Sequence, residues 1–485
     1  MVDAVVIGAG PNGLAAAVTL ARAGLSVVVL ERNETIGGGA RTAELTLPGF
    51  HHDVCSAVHP MALASGFFRA FALDRRIELV VPEISYAHPL DAGRAGIAYR
   101  DLERTVERLG RDGPAWRALM GPLAERADRV AGFTNDALLR IPTDPGVLVR
   151  FGLRVLEQGT PVWNLRFAGD VAPAMFSGLA AHSIRPMPSP STAAAALALG
   201  AYAHARGWPV PIGGSQAIVD ALADDLRAHG GRIETGVEVT SLAELPPARA
   251  VLIDGTPTAL LALAGERLPT AYVAALQRFR YGNAVAKVDF ALDGPVPWTN
   301  PELAHAGTLH VGGTRAEIAA AERDVVRGRH SRSPYVLVAQ PSIADPGRAP
   351  EGKHVLWAYT HVPRHSPADQ REAITRQIER FAPGFRDRIL AASSMTARDM
   401  QAYNPNYLGG DIAAGAASVV QLLARPVPTR DPWRTPAKGL YLCSSSTPPG
   451  PGVHGMAGWH AARSALRHEF GVRDAPDLSP DTPPV

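Results

Sequence analysis

Two short apolar runs flank a glycine-rich turn near the start of the chain. Residues 3–8 and 26–30 are almost entirely apolar, which is typical of buried strands. The turn Gly8-Ala-Gly-Pro-Asn-Gly13 leads into a helical pattern over 14–23, and Glu31 directly follows the second run. The order strand, turn, helix, strand and acid predicts a β-α-β unit of about 30 residues.

The middle of the chain divides into a helical block and a return to alternating elements. Residues 59–206 have a mostly helical and irregular pattern. After them, a helix is predicted from Gln216 to about His229, followed by strands over 232–239 and 250–253.

The last third predicts a second sheet and a closing strand-helix pair. Strands are expected over 284–292, 335–339 and 354–361, with a helix starting at Ser366-Pro367, where serine is a natural N-cap and proline suits the first helical position. A strand over 439–443 and a helix over 452–469 follow.

Composition excludes wholesale disorder and a single small module. The chain has 485 residues, of which 46% are hydrophobic and 19% charged, against a typical charged share of about 25%. The formal net charge is +2, and no basic run with interleaved aromatic residues is present, so we expect no nucleic-acid partner.

The cysteines and the apolar stretches bear on the compartment. Cys55 and Cys443 form no C-x-x-C pair, which excludes a dithiol redox centre and a four-cysteine zinc site and indicates a reducing cytoplasm. No stretch has the pattern of a signal peptide or the length of a membrane span. We therefore expect a cytoplasmic protein.

The three glycines of the first turn have steric roles in dinucleotide binding. Gly8 permits the tight turn, Gly10 lets the backbone approach a pyrophosphate, and Gly13 lets the helix pack closely on the strand. The phosphates then lie at the helix N-terminus. Glu31, 18 residues after Gly13, is placed to accept hydrogen bonds from both ribose hydroxyls and to repel a 2′-phosphate. The predicted ligand is FAD or NAD rather than NADP.

A second glycine cluster, Ile36-Gly-Gly-Gly-Ala-Arg-Thr42, favours FAD, because an NAD enzyme with one fingerprint has no need of it. With these motifs the sequence resembles the phytoene-desaturase-like branch of the flavin amine-oxidase superfamily, in which Gly37 and Gly38 match a Gly-Gly pair. Within that branch it is most similar to a subgroup named after a pyridine nucleotide-disulphide oxidoreductase domain, although this chain has no redox dithiol. Further matching segments extend over nearly the whole chain: 211–217, 287–295, 403–411, 439–443 and 449–458.

The resemblance implies further contacts with FAD. Val239 would contact the adenine through its backbone, and Gly455 and Met456 would place a helix N-terminus near the pyrimidine edge of the flavin. The full set of predicted cofactor-binding residues is Gly8, Gly10, Gly13, Glu31, Arg32, Gly38, Gly39, Arg41, Val239, Ser446, Gly455 and Met456.

Two positions depart from the family pattern. Gly39 stands where carotenoid desaturases usually carry an arginine, and the nearest arginine is Arg41. The turn Ser444-Ser-Ser-Thr447 stands in place of a Gly-Ala-Gly-Thr-like turn, and we expect its hydroxyls to bond the ribityl chain or the pyrophosphate.

Lys287 and His454 are the candidate catalytic residues. Lys287 lies in an apolar, strand-like context and resembles the amine-oxidase lysine that holds a water against flavin N5; the alternative is a strand residue that faces solvent. His454 lies in the glycine-rich turn before the last helix, and His52 and His59 precede the helical block. For these histidines the alternative is a structural role.

A histidine pair and a set of aromatic residues each have a functional and a structural interpretation. His361 and His365 have i, i+4 spacing, but Pro363 between them argues against a helical ligand pair, so no metal site is predicted. A set of aromatic residues lines either an apolar tunnel or the ordinary core: Phe67, Phe68, Trp163, Phe167, Phe176 and Trp459.

The predicted fold is α/β, with a doubly wound, Rossmann-like FAD-binding domain, a mixed-sheet substrate domain and a helical cap. The FAD-binding domain comprises 1–58, 207–264 and 436–473, and the cap and substrate region 59–206. The mixed-sheet substrate domain is 265–435, and 474–485 is expected to be a disordered tail.

The predicted function is that of an FAD-dependent dehydrogenase or desaturase taking hydride from a hydrophobic substrate, which the resemblance implies to be polyisoprenoid-like. A flavin oxidase of amines or amino acids and a non-catalytic FAD-binding interaction protein remain as alternatives. The electron acceptor is expected to be oxygen or a quinone, since no second dinucleotide fingerprint is visible.

Peripheral membrane contact, suggested by cap arginines Arg150, Arg154 and Arg166, and oligomerisation are compatible with the sequence.

Overall fold

The structure is a computed structural model that describes residues 2–140 and 144–481. Its strands are β1 (Ala4–Ile7), β2 (Val27–Leu30), β3 (Thr42–Glu44), β4 (His51–Asp53), β5 (Leu79–Val80), β6 (Ile84–Pro89), β7 (Ala95–Tyr99), β8 (Val210–Pro211), β9 (Arg232–Glu234), β10 (Ala250–Ile253), β11 (Ala284–Leu292), β12 (Thr308–Val311), β13 (Val336–Ala339), β14 (His354–Val362), β15 (Ile389–Met395) and β16 (Leu440–Leu442). Its α-helices are α1 (Pro11–Ala21), α2 (Gly66–Ala70), α3 (Leu102–Arg108), α4 (Gly113–Ala124), α5 (Ala127–Thr134), α6 (Pro145–Gln158), α7 (Val171–Ala181), α8 (Pro190–Ala205), α9 (Gln216–Ala228), α10 (Pro257–Ala264), α11 (Thr270–Gln277), α12 (Arg315–Val326), α13 (Arg371–Glu379), α14 (Ala397–Tyr403), α15 (Val419–Leu423) and α16 (Met456–Ala465).

A parallel sheet holds the predicted β-α-β unit at its centre. Its strand order is β16-β10-β1-β2-β9, and every neighbouring pair is parallel. Helices α1, α9 and α16 cover one face in a common core, and α10 with the segment around Leu245 covers the other. Because both faces are buried, the strands are continuously apolar, as their sequences indicated. The predicted doubly wound fold is confirmed.

The second large sheet has seven strands, in the order β15-β11-β14-β13-β12-β6-β7. Its neighbours are antiparallel except for the parallel pair β12 and β6. Strands β6 and β7 come from the block 59–206, which was predicted to be helical. The sequence analysis missed them because both are short, are buried on both faces and contain alanine, glycine and proline, which are poor strand formers.

The two faces of the mixed sheet have different neighbours. On one face, Val288, Phe290 and Leu356 pack with Ile374 of α13 in an apolar core. On the other face, the sheet meets the helices of the cap in a larger core that includes Trp357, Tyr359 and residues of α4, α7 and α8. Lys287 belongs to this second face, so the cap and the parallel-sheet domain both border it.

Two boundaries differ from the sequence predictions. Strand β9 ends at Glu234 and does not reach residue 239. Helix α13 begins at Arg371; Ser366 does not cap it but accepts a hydrogen bond from the Ala368 amide and pairs with His330. Both sequence patterns were locally plausible, but tertiary contacts determine where β9 ends and where α13 begins.

The segment 474–481 differs from the disordered tail that was predicted. Leu478 is 1% exposed within the core around α1, and the Arg76 side chain donates to its carbonyl over 3.1 Å. Asp481 forms an ion pair with Arg75. Residues 482–485 lie outside the described part of the chain.

Across the described residues, none of the helices combines the length and apolar content needed to cross a bilayer.

Candidate active site

Two glycine clusters meet at the carboxyl end of β1. A Cβ on Gly13 would overlap the Gly8 carbonyl oxygen, so only glycine allows α1 to pack this closely on the strand. The second cluster folds onto the first, since a Cβ on Gly38 would lie 3.2 Å from the Gly10 Cα. The N-terminus of α1 borders this cradle, and the helix dipole favours an anion there.

Glu31 closes the cradle at the end of β2. One carboxylate oxygen accepts a hydrogen bond from the Ala9 amide over 2.9 Å, and the other accepts from the backbone and side-chain amides of Asn33 at 2.9 and 2.7 Å. The Arg41 guanidinium lies 3.6 Å from this carboxylate and donates to two carbonyls of its own loop. The predicted residues Glu31 and Arg41 are therefore brought together.

Asp254 is a buried acid that the sequence analysis missed. It directly follows β10, and its Oδ2 accepts a hydrogen bond from the Gly13 amide over 3.0 Å and lies 2.7 Å from where a Gly10 Cβ would be. Burial raises its pKa to about 7; the Gly13 amide opposes this shift and the Glu31 carboxylate adds to it. The available signal was an acid directly after a buried strand, the same arrangement that pointed to Glu31.

Arg32 and Val239 lie at the rim. The Arg32 side chain is 40% exposed and lies 3.8 Å from Glu238, so the structure does not bring it into the cradle. Val239 is half-buried beside Val5 and Val28, on the sheet face opposite α1. Its adenine contact stays a prediction.

The N-terminus of α16 packs against α1 and α2. Gly455 precedes the helix, and a Cβ there would overlap the Phe67 ring. The Met456 sulfur accepts a hydrogen bond from the Phe67 amide, and the Met456 amide donates to His454 Nδ1 over 3.0 Å. The first turn of α16 is thereby fixed beside the start of α1. The predicted position of Gly455 and Met456 near the pyrimidine edge of the flavin stays a prediction.

The contacts of His454 favour the structural alternative that the sequence left open. Because Nδ1 accepts from the Met456 amide, Nε2 carries the hydrogen, which it donates to the Gly450 carbonyl over 3.1 Å. Burial lowers its pKa to about 4, with the Gly450 carbonyl opposing the shift. A neutral imidazole with both nitrogens engaged is a helix cap, which argues against proton transfer by His454.

The serine turn is bonded to the protein itself. Ser444 donates its hydroxyl hydrogen to the Gly255 carbonyl at 2.5 Å, and Ser446 donates to the Ala414 carbonyl at 2.7 Å. Thr447 likewise donates to the carbonyl of Ser444. A hydroxyl has one hydrogen, so these groups have none left for a ribityl chain or a pyrophosphate. The Ser446 hydroxyl can therefore meet a cofactor only as an acceptor, and its predicted contact with FAD stays a prediction.

Lys287 is buried rather than facing solvent. It is 2% exposed on β11 and forms an ion pair with Asp289, two residues along the same face. Burial raises the pKa of Asp289 to about 6, and the Lys287 charge opposes the shift. The sequence analysis missed Asp289, although the period of two in this strand places both charges on one face.

A tyrosine segment connects Lys287 to the glycine cradle. Tyr403 donates a hydrogen bond to the Gly38 carbonyl over 2.8 Å, and the Tyr407 hydroxyl lies where a Cβ on Gly39 would be. Burial raises the pKa of the Cys55 thiol, and both Tyr407 and the Lys287 charge oppose this shift. Lys287, Cys55 and the second glycine cluster thus share one region.

His52 and His59 belong to a structural network. Arg348 is 1% exposed and donates to the Asp53 carboxylate over 2.8 Å, while His59 Nε2 lies 2.8 Å from the Ser215 hydroxyl. Burial lowers the pKa of His52 to about 3 and of His59 to about 4. Both are neutral near pH 7, which favours the structural alternative.

The aromatic residues do not line one tunnel. Those on α2 and α16 pack behind the glycine cradle, and those of the cap belong to the core over the mixed sheet; the first group is Phe67, Phe68 and Trp459, and the second is Trp163, Phe167 and Phe176. Among the described residues, no group of three or more His, Cys, Asp or Glu side chains is arranged to hold a metal ion.

The model of one protein family matches nearly the whole chain: flavin containing amine oxidoreductase, over residues 12–466. The chain belongs to this family. It is an FAD-dependent oxidoreductase, and the glycine cradle, Glu31 and the two helix N-termini form a site of the kind that FAD requires. When bound, FAD would supply a two-electron acceptor at this site.

Individual relatives agree with the family. Pyridine nucleotide-disulfide oxidoreductase domain-containing protein 2 of Rattus norvegicus is 27% identical, over 96% of this chain and 93% of its own length. A phytoene desaturase (neurosporene-forming) of Rhodobacter capsulatus is 24% identical, over 99% and 95%. Among solved structures, putrescine oxidase bound to putrescine has a TM-score of 0.62 at 17% identity, over 96% of this chain and 98% of that one. The predicted resemblance is confirmed.

Proposed function

We propose that this flavoprotein is a dehydrogenase or desaturase that takes hydride from a hydrophobic, polyisoprenoid-like substrate, and that the electrons leave to oxygen or a quinone. The similarity to a phytoene desaturase over almost the whole chain supports the substrate class. No NADPH-binding fingerprint is visible in the sequence, which favours an organic hydride donor.

The observation that carries the proposal is the apolar surface beside Lys287. The sheet face that bears Lys287 continues into one core cluster made of cap helices, β13 and β14, and the Tyr407 segment. Tyr359 lies directly across from Lys287 and Trp357 directly across from Asp289, and the two ring centroids are 5.1 Å apart. A substrate at this face meets aromatic and aliphatic side chains, and hydride donation needs close, water-excluded contact.

A second candidate is oxidation of amines. The structural likeness to putrescine oxidase favours it. The perpendicular Trp357–Tyr359 pair also favours it, because the faces of aromatic rings attract a cationic or amino group. The two candidates differ in which compound reduces the flavin.

Anaerobic mixing separates them. The purified protein is mixed without oxygen with phytoene in detergent, and in parallel with putrescine or cyclohexylamine, while the visible absorption of oxidised flavin is recorded. The proposal predicts loss of the band with phytoene and no change with the amines. Bleaching by an amine and none by phytoene would transfer the assignment to amine oxidation.

A further inference from the structure

Glu322 and His361 form a buried hydrogen-bonded pair on the cap side of the mixed sheet. Glu322 lies on α12 and His361 on β14, with Oε1 and Nδ1 2.6 Å apart and each side chain 1% exposed. Because the carboxylate engages Nδ1, the imidazole has one polar atom left, Nε2. Within the described residues this atom has no hydrogen-bond partner. A carboxylate that orients an imidazole and leaves its second nitrogen open is a common arrangement in binding and catalytic sites.

The neighbours of His361 do not satisfy Nε2. Its ring lies 5.2 Å from that of Tyr335 and 5.7 Å from that of Tyr359, and Tyr335 already donates its hydroxyl hydrogen to a backbone carbonyl. Nearby, His182 and His310 pair with each other through their Nε2 atoms at 2.9 Å. Burial lowers the pKa of both, to about 3 for His182, so they are uncharged near pH 7.

Strand register places His361 close to Lys287. Lys287 lies opposite Tyr359, and Val285 lies opposite His361, so Lys287 and His361 are diagonal neighbours on one face. Such neighbours are about 7–8 Å apart. A molecule that lies along this face beside Lys287 therefore reaches His361.

This mostly apolar face also carries several polar atoms without a hydrogen-bond partner, whereas the opposite face packs apolar side chains against α13. The atoms on the Lys287 face for which the described residues provide no hydrogen-bond partner include Asp289 Oδ1, which has His52 Nδ1 3.7 Å away, and Thr308 Oγ1, His310 Nδ1 and Trp357 Nε1. The opposite face of these strands presents Val288, Phe290, Leu309, Val336, Val338 and Leu356. Buried polar groups are normally satisfied, so this one-sided distribution indicates that the Lys287 face receives a partly polar molecule.

We infer that His361 Nε2, oriented by Glu322, binds an oxygen of the substrate, so that the substrate class is a hydrophobic molecule carrying a neutral hydroxyl or carbonyl group. The inference rests on the proposed function and narrows it: phytoene, a hydrocarbon, is there a probe of the polyisoprenoid class, and an oxygen-bearing polyisoprenoid should reduce the flavin faster. A neutral group fits because Lys287 is already paired with Asp289, and His361 with Glu322, so neither pair calls for a charged substrate group. A hydroxyl suits either state of the ring, since it donates to a bare Nε2 and accepts from a protonated one.

Calorimetric titration with 1-octanol, octanoate and octylamine tests the inference, because these probes share a chain and differ in the head group. We expect 1-octanol to bind most tightly. His361→Asn keeps an N–H toward Glu322 but has no atom at the Nε2 position, so the octanol affinity falls by about tenfold or more. His361→Gln carries its amide near the Nε2 position and serves as the matched control, with an affinity within about threefold of the wild type.

Two results would overturn the inference: tighter binding of octylamine than of octanol, or an unchanged octanol affinity in a folded His361→Asn variant. If that variant does not fold, NMR spectra of the wild type labelled with 15N-histidine give the answer. Octanol must then shift the imidazole resonance of His361, which is identified because it is missing from the spectrum of His361→Gln. Octanol binding at His361 in a protein whose flavin cannot be reduced contradicts the proposed function and not this site. A reducible flavin without His361-dependent binding contradicts this site alone.

Discussion

Asp254 is the residue whose ionisation bears most directly on the cofactor. Its carboxyl group occupies the N-terminus of α1, where the FAD diphosphate is expected, and faces the Glu31 carboxylate and the Cys443 thiol. Its folded-state pKa of about 7 lies above the ordinary value of 3.8. A raised carboxyl pKa means that the folded state holds the proton more tightly, so this contribution to stability is lost as pH rises from about 4 to about 7.

Asp254→Asn should therefore change how FAD affinity depends on pH. In the wild type, a charged Asp254 repels the diphosphate, so we expect affinity to fall above pH 7, by at most about tenfold per pH unit because one proton is involved. The asparagine oxygen still accepts from the Gly13 amide and carries no charge. The FAD affinity of this variant should therefore be nearly the same at pH 6 and pH 8. Fluorescence titration of the apoprotein with FAD at pH 6 and pH 8 measures this. Equal wild-type affinities at the two pH values would show that Asp254 is not beside the diphosphate.

Lys287→Met should slow the return of the oxidised flavin spectrum in air, by about tenfold or more, if the lysine places a proton or water for oxygen reduction. Removing one partner of a buried ion pair costs about 3–5 kcal/mol, so the double variant Lys287→Met/Asp289→Asn separates stability from chemistry. Lys353→Met, at an exposed ion pair with Asp293, is the control. Full reoxidation rates in the double variant would remove the assigned role.

At the scale of elements, α6 has an apolar face that nothing in the described structure covers. Val147 and Phe151 face the core, whereas Val149, Leu153 and Leu156 on the outer side are 61%, 62% and 57% exposed. Leu165, shortly after the helix, is 81% exposed. Arg150 and Arg154 lie along one border of this stripe by helical spacing; Arg154 is paired with Glu157, and Arg150 is exposed in a position that suits an anionic lipid head group. We propose that this face contacts a membrane surface.

Co-sedimentation with phosphatidylglycerol vesicles tests the role of α6. Leu153→Glu/Leu156→Glu should lower the bound fraction by about fivefold or more, because two charges replace the inserted side chains. Val420→Glu, at a 78% exposed position on α15, is the matched control and should bind like the wild type. Absence of vesicle binding, together with a wild-type dimer that the double variant converts to monomers, would identify the face as an interface between copies.

The sequence predicted those elements whose signal is local. The β-α-β unit and the strand over 284–292 follow from apolar runs and glycine spacing, and the structure reproduces them almost residue for residue. Strands β6 and β7 pair with each other but were missed, because alanine, glycine and proline obscure their strand pattern. Ser366 does not cap α13 because it pairs instead with His330, 36 residues earlier in the chain. Pairing of Glu322 with His361 across 39 residues has no local signature at all.

At the scale of the whole molecule, two sheets and a helical cap enclose one region. The parallel sheet provides the glycine cradle and Glu31, the mixed sheet provides Lys287 and His361, and the cap closes the apolar core over them. The site is thus built from distant segments of the chain, which is why the sequence identified the cofactor cradle, with its local motif, more completely than the substrate side.

The visible absorption spectrum of the purified protein, recorded as isolated, after anaerobic reduction and after admission of air, tests the central claim most directly. A working redox flavin in the glycine cradle predicts a flavin spectrum that bleaches on reduction and returns in air. A protein without flavin, or with a flavin that cannot be reduced, would contradict an oxidoreductase that uses this site.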